Sequence, residues 1–188
     1  MIIRKATSKD ALFIANYLLL AMEDIIYEFI GEKNHQKAIN FLSYFAQRGD
    51  NQYSYQNCWV IEENNEVIAV ANVYDGARLA ALRKPIADYI QTHHKKEFKP
   101  EDETDAGEFY IDSFGVNPIH QGKGIGSKML QFLIAEYVTK NEQTIGLLVE
   151  ENNPNAKKLY LKLGFQSVGH KSLVGKKVEH LQVKIDQI

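Results

Sequence analysis

The sequence predicts a mixed α/β (α+β) fold, and three observations carry that reading. Short apolar stretches interleave with longer ones whose apolar residues recur every three or four positions, the periods of strands and helices. A glycine-rich junction, Gly122-Lys123-Gly124-Ile125-Gly126, separates the apolar run Phe109 to Val116 from an amphipathic run beginning at Ile125, so it reads as strand, tight loop and helix start. Farther on, Asn153 to Gly164 has both ends of a helix written into it: Asn153 suits the N-cap, Pro154 the first helical position and Gly164 the left-handed stop. With 188 residues, 45% of them apolar and 24% charged, the chain fits one domain with a sizeable core.

In chain order, Ile2 to Lys5 reads as a strand. Ser8 to Ile30 reads as a helix capped by Thr7 and Ser8, with Leu12, Ala15, Leu19 and Met22 on one face, and Gly31 ends it. A second helix covers His35 to Gln47 with Ala38, Phe41, Leu42 and Phe45 inward, and Arg48 to Asn57 forms a loop. Cys58 to Glu62 and Val67 to Tyr74 make a hairpin about a turn at Glu63-Asn64-Asn65. Arg78 to His94 is helical, although Pro85 should start a new segment or bend it, and Lys95 to Ala106 is a charged loop. Strand Phe109 to Val116, helix Ile125 to Lys140, strand Thr144 to Val149, helix Pro154 to Leu163, and strands Phe165 to His170 and Val178 to Ile185 complete the chain.

Several function classes fall away. A net charge of -2, with basic residues spread along the chain, argues against a nucleic-acid partner, because phosphate affinity needs clustered Lys and Arg. The apolar run Ala11 to Met22 is too short to span a bilayer, contains Asn16, and lacks a cleavage site, so no membrane partner and a cytoplasmic location are expected. Cys58 is the single cysteine, lies beside Trp59 and reads as a small buried hydrophobe, consistent with a reducing interior. The histidines lack metal-ligand spacing and no metal is predicted; His120 lies inside the glycine loop, and His180, near a strand end, has a small claim as a base.

The glycine junction is an anion cradle. The first turn of a helix carries amides without intrahelical partners and a partial positive charge, and glycine lets a phosphate approach closely. Lys123 and Lys128 add charge and Ser127 a donor. The spacing fits neither the dinucleotide fingerprint nor the nucleoside-triphosphate loop. It does match Q/R-x-x-G-x-G/A, as Gln121-Gly122-Lys123-Gly124-Ile125-Gly126, just after Val116-Asn117-Pro118. Asn153 to Phe165 matches a second pattern, N-x-x-A-x-x-L-Y-x-x-x-G-F. Two motifs in this order resemble those of the GCN5-related N-acetyltransferases (GNAT), strongly over Phe109 to Ile185 and in general layout over Met1 to Tyr74.

The resemblance implies a mostly antiparallel sheet whose central parallel strand pair splays apart, with helices on both faces. It also implies acetyl transfer from acetyl-CoA, the cosubstrate, to a primary amine by direct attack in a ternary complex. Gln121, Gly122, Lys123, Gly124, Gly126 and Ser127 would hold the pyrophosphate. Backbone groups of Phe114 and Val116 would pair with the pantetheine arm, the Val116 N–H could face the oxyanion, and the Asn153 side chain would contact the arm. Tyr160 stands where the family protonates the departing thiolate. Being a phenol with an ordinary pKa of about 10, it stays protonated at neutral pH.

The amine must lose a proton before it attacks. Glu108, Tyr110 and Asp112 alternate along a strand and so share a face. The family often takes a carboxylate base from that strand; Asp112 is the first candidate and Glu108 the second. Relative to compact members, Asp75 to Ala106 is an insertion with Glu101, Asp102, Glu103 and Asp105 in its loop, expected near the acceptor side of the cleft. The acceptor is a small-molecule or peptide amine, and family resemblance makes a homodimer reasonable. A different class of function is a non-catalytic acetyl-CoA sensor or partner-binding module.

Overall fold

The computed structural model describes residues 1–185. Among them, seven strands form one sheet: β1 (Ile2–Lys5), β2 (Cys58–Glu63), β3 (Glu66–Asp75), β4 (Phe109–Val116), β5 (Ile145–Glu150), β6 (Gln166–Leu173) and β7 (Lys176–Val183). Their order is β1-β2-β3-β4-β5-β7-β6, and every neighbouring pair is antiparallel except β4 and β5. Five α-helices of the described residues accompany it: α1 (Ala11–Ile30), α2 (His35–Ala46), α3 (Leu79–His94), α4 (Ile125–Leu133) and α5 (Pro154–Lys162).

Strand alternation divides the apolar residues between the two faces of the sheet. Cys58 and Val60 of β2 enter a core built with α1, α2 and the second half of α3, whereas Trp59 and Ile61 enter a core built with α4 and α5. Hairpin β2–β3 turns through Asn64 and Asn65, both with positive φ (52° and 63°), the two-residue geometry that asparagine tolerates. Asn153, Gly31 and Gly164 end their helices as the sequence predicts, and Asn34, not singled out in the sequence, caps α2. Asn34 accepts from the Lys37 amide, Asn153 from the Ala156 amide, and Gly31 and Gly164 are left-handed.

Local departures have physical reasons. Leu12 is 59% exposed, because the buried stripe of α1 runs through Ala11, Ile14, Ala15, Leu18, Leu19, Met22 and Ile26 and Leu12 falls beside it. Helix α1 breaks its own geometry at Met22 (φ -138°, ψ 28°). Pro85 neither ends nor restarts α3, whose buried residues Leu79, Leu82, Ile86 and Ile90 continue across it. The helix expected from Ile125 to Lys140 passes into a wider π-helical turn over Ile134–Thr139. Strand β6 extends to Leu173, beyond the expected His170. No helix among the described residues is long and apolar enough to cross a membrane.

Candidate active site

The sheet opens at its centre. Parallel pairing of β4 with β5 covers only Phe109↔Ile145, Tyr110↔Gly146 and Ile111↔Leu147. Beyond those pairs β4 stays bonded to β3 as far as Val116, and β5 to β7 as far as Glu150, so the two strands part between Asp112 and Val116. A cavity of 560 Å³ occupies the gap, a size suited to a small-molecule site. Its wall includes Phe114, Val149, Asn153, Ala156 and Tyr160 from the α5 side of the sheet, and Gln52, Tyr53, Arg83 and Glu103 from the α3 side. It therefore runs through the sheet.

Amide direction in β4 follows from one bond. The Asn117 N–H donates to the Ile68 carbonyl of β3 at 2.9 Å, and successive strand amides alternate, so those of Val116 and Phe114 face away from β3 and into the gap. Val116 pairs opposite Ala69, and its carbonyl accepts from the Gln121 side chain at 3.2 Å, which ties the glycine loop back to the strand end.

Asp112 is the extra residue of a β-bulge: Asn72 lies opposite Ser113 and Val73 opposite Ile111, leaving Asp112 without a partner in β3. Bulges re-aim a side chain, and here Asp112 and Ser113 both line the cavity. Asp112 accepts from Asn72 at 2.9 Å and lies 3.4 Å from the Gln52 amide nitrogen. The same nitrogen donates to Glu103 at 2.6 Å, and Glu103 also accepts from the Tyr74 hydroxyl at 2.9 Å and meets Arg83 at 3.3 Å. Burial, with the charge of Glu103, pushes the Asp112 carboxyl well above the usual carboxylate range. Ser113 is buried and its hydroxyl has no partner among the described residues.

Tyr160 lines the cavity from α5, where Ala156, Leu159 and Leu163 pack with it on the second core. Its ring sits 5.9 Å from that of Phe165, and burial alone raises its pKa, keeping the phenol protonated. Asn153 caps α5 and lines the cavity as well.

The glycine loop stands outside the cavity, at the end of β4. After a short 3-10 turn (Pro118–His120), Gly122 and Gly124 adopt positive φ (75° and 77°), and a Cβ at either would meet nothing within 4 Å. Both are exposed with Lys123 between them. Gly124 is the N-cap of α4, so the amides of Gly126 and Ser127 lie in a first turn open to a ligand. A Cβ at Gly126 would come 3.2 Å from the Phe114 ring, which links the loop to the cavity wall. Gly124→Val forces a β-branched residue into the left-handed region, a strain of about 1–2 kcal/mol. A lowered thermal midpoint together with weakened anion binding is the expected result, and unchanged values of both would contradict it.

Glu108 does not line the cavity. Its carboxylate receives the Thr104 hydroxyl (2.6 Å) and the Gln182 amide (2.7 Å) and lies 2.9 Å from His180 Nε2. Burial drives its pKa up, but the bonds from His180, Thr104 and Gln182 outweigh it and hold the group ionised. His180 is thereby occupied as well. Because the folded pKa is depressed, this stability is present above the ordinary carboxylate range and lost as pH falls through the folded value. Glu108→Gln should cost about 1–3 kcal/mol in urea unfolding at neutral pH, with a smaller difference in acid, while turnover per folded molecule is kept.

The segment between β3 and β4 approaches the cavity: Arg83, Phe98, Pro100 and Glu103 are on its wall. Glu103, within the charged loop, is only 7% exposed. Sequence reasoning named Glu103 only as one acid of the charged loop and passed over Gln52, Arg83 and Ser113, since nothing in a run of acidic residues distinguishes the one that folds inward.

Comparison with known proteins agrees with this architecture. An acetyltransferase crystal structure, 28% identical, superposes with a TM-score of 0.82 over 98% of this chain and 100% of that one. An N-acetyltransferase from Staphylococcus aureus Mu50, 23% identical, shares the fold with a TM-score of 0.84 over 97% of this chain and 100% of that one. The spermine/spermidine N(1)-acetyltransferase of Bacillus subtilis (strain 168) is 38% identical over 73 residues, 38% of this chain and 48% of that protein, so the match spans about half the length of that relative. The model of the acetyltransferase (GNAT) family matches residues 22–165, from the break in α1 to the phenylalanine after α5 and across the gap and glycine loop between them; the chain belongs to that family.

Proposed function

We propose that this protein is an N-acetyltransferase that moves the acetyl group of acetyl-CoA to a primary amine by direct attack in a ternary complex. The observation that carries the reading is that a carboxylate of raised proton affinity, Asp112, and a neutral phenol, Tyr160, line one cavity where β4 and β5 part. The residues present fit the cosubstrate. Amides of Phe114 and Val116 face the gap, and the exposed loop from Gln121 to Ser127 ends in a helix N-terminus behind two left-handed glycines. Bound there, acetyl-CoA supplies an activated acyl group and a thiol leaving group.

In this reading the loop grips the diphosphate, with Lys123 offsetting its charge, while Asn153 and the Phe114 amide orient the arm. The Val116 N–H is aimed into the gap, where a preorganised donor can stabilise developing oxyanion charge by several kcal/mol, about 3 being typical. Asp112 takes a proton from the ammonium form of the acceptor, and Tyr160 gives its proton to the thiolate.

The acceptor is a cationic amine. Asp24, Glu28 and Glu150 stand on the cavity wall with Glu103 and Asp112, against the cations Arg83 and Lys176, which are already paired with Glu103 and Glu150. Such a wall draws positively charged substrates. The spermine/spermidine acetyltransferase similarity makes polyamines the first acceptors to try. Thiol release from acetyl-CoA with polyamines, monoamines and peptide amino groups is the test. Turnover with at least one amine supports an enzyme; tight cofactor binding with no turnover on any of them favours a sensor.

A further inference from the structure

Behind Asp112 lies a second carboxylate to which the family motifs point in no way. Glu103 belongs to the segment between α3 and β4, is buried, and reaches the cavity wall. One side chain joins the two acids: Gln52 Nε2 is 2.6 Å from Glu103 Oε1 and 3.4 Å from Asp112 Oδ1. Gln52 is itself held by its amide, which donates to the Leu82 carbonyl at 2.9 Å. Tyr74 also donates to Glu103 and Asn72 to Asp112, and the Arg83 guanidinium meets the other Glu103 oxygen at 3.3 Å.

Resting on the acetyltransferase reading, we propose that Glu103 and Asp112 form a carboxylate pair bridged by the Gln52 amide, in which Asp112 takes the amine's proton and Glu103 is its positioning residue. The step balances: the acceptor ammonium loses one proton and becomes a neutral amine, and the Asp112 carboxylate gains it and becomes a carboxylic acid. That proton returns to water after the product leaves.

Like charges this close cannot both remain ionised cheaply in a buried site, so each raises the other's hold on a proton. Burial raises the Glu103 carboxyl too, opposed by Arg83. The groups around Asp112 come from every packed element: Glu103 from the insertion, Arg83 from α3, Tyr74 from β3, Tyr110 from β4 and Tyr53 from the loop before β2. The three phenols are held neutral by burial, so Glu103 and Arg83 are the near charges left to set Asp112, and with opposite sign. The carboxylates of α1 and Glu150 lie farther along the wall and are common to every variant below.

Infrared difference spectra of the free protein across pH, reading the carboxylic acid C=O band, test the pair without any activity. Wild type should show carboxyl protonation above the ordinary range, and Asp112→Asn should lose the Asp112 component of that band. Glu103→Gln should move the midpoint down by about one pH unit and Arg83→Gln should move it up by about as much. Opposite signs separate a charge pair from general loosening, and either variant alone specifies a direction should the other fail to fold. A missing wild-type band, an unmoved midpoint in a folded variant, or shifts of the same sign would overturn the pair. In an active enzyme the acid limb of kcat/KM should follow the same two directions, and a limb that stays put would also overturn it. The infrared pattern in a protein that acetylates no amine would instead keep the pair and reject the acetyltransferase reading.

Discussion

Replacing Tyr160 with phenylalanine is expected to lower turnover by about 10²- to 10⁴-fold while changing acetyl-CoA affinity little. The phenol ring fills one side of the cavity and packs 5.9 Å from Phe165, and phenylalanine keeps that packing, so the fold and the wall persist. What disappears is a proton donor on the α5 side of the gap that burial keeps un-ionised. Without it the thiolate must leave unprotonated, or take its proton from a water with no fixed position. Single-turnover measurement separates the effect from product release; equal rates in wild type and variant would remove Tyr160 from the chemistry.

Asp112→Asn is the second large effect, with kcat/KM falling by about 10²- to 10⁴-fold at neutral pH and the acid limb of the profile disappearing. Its effect on stability should run the other way. Folding raises the proton affinity of Asp112, so its favourable contribution is complete below the ordinary carboxylate range and is lost as pH rises through the folded value. Above that folded value the wild-type carboxylate is a buried charge, and there the asparagine variant should melt no lower than wild type. Chemical denaturation at neutral and acidic pH would show it. A variant that is strongly destabilised at neutral pH would mean that Asp112 is a structural partner, bonded to Asn72 and Gln52 and nothing more.

The order of elements was legible because each boundary has a local chemical cause: Asn153 and Gly164 bracket α5, Asn64 and Asn65 make the hairpin turn, and the apolar stripe of α2 falls on the residues that are buried. The glycine loop was legible for the same reason, since a left-handed backbone at Gly122 and Gly124 is written into the residue type. What stayed hidden depends on contacts distant in sequence. The bulge that turns Asp112 into the cavity exists only in the register of β4 against β3, and no pattern within β4 announces it. Glu108 and Asp112 look equivalent on paper, yet Thr104, Gln182 and His180 tie up the first while the second stands in the opening. Likewise Glu103 is one acid among several in a charged run, and only the meeting with Gln52, Tyr74 and Arg83 turns it inward.

Acetyl transfer in this site requires coenzyme A to lie along the loop and through the parted strands. Calorimetric titration of coenzyme A into the wild-type protein and into Gly124→Val measures that most directly. Saturable binding at one site per chain, weakened at least about tenfold in the variant, is the predicted result, a loss of roughly 1.4 kcal/mol. No heat with wild type, or equal affinity in a folded Gly124→Val protein, would contradict it.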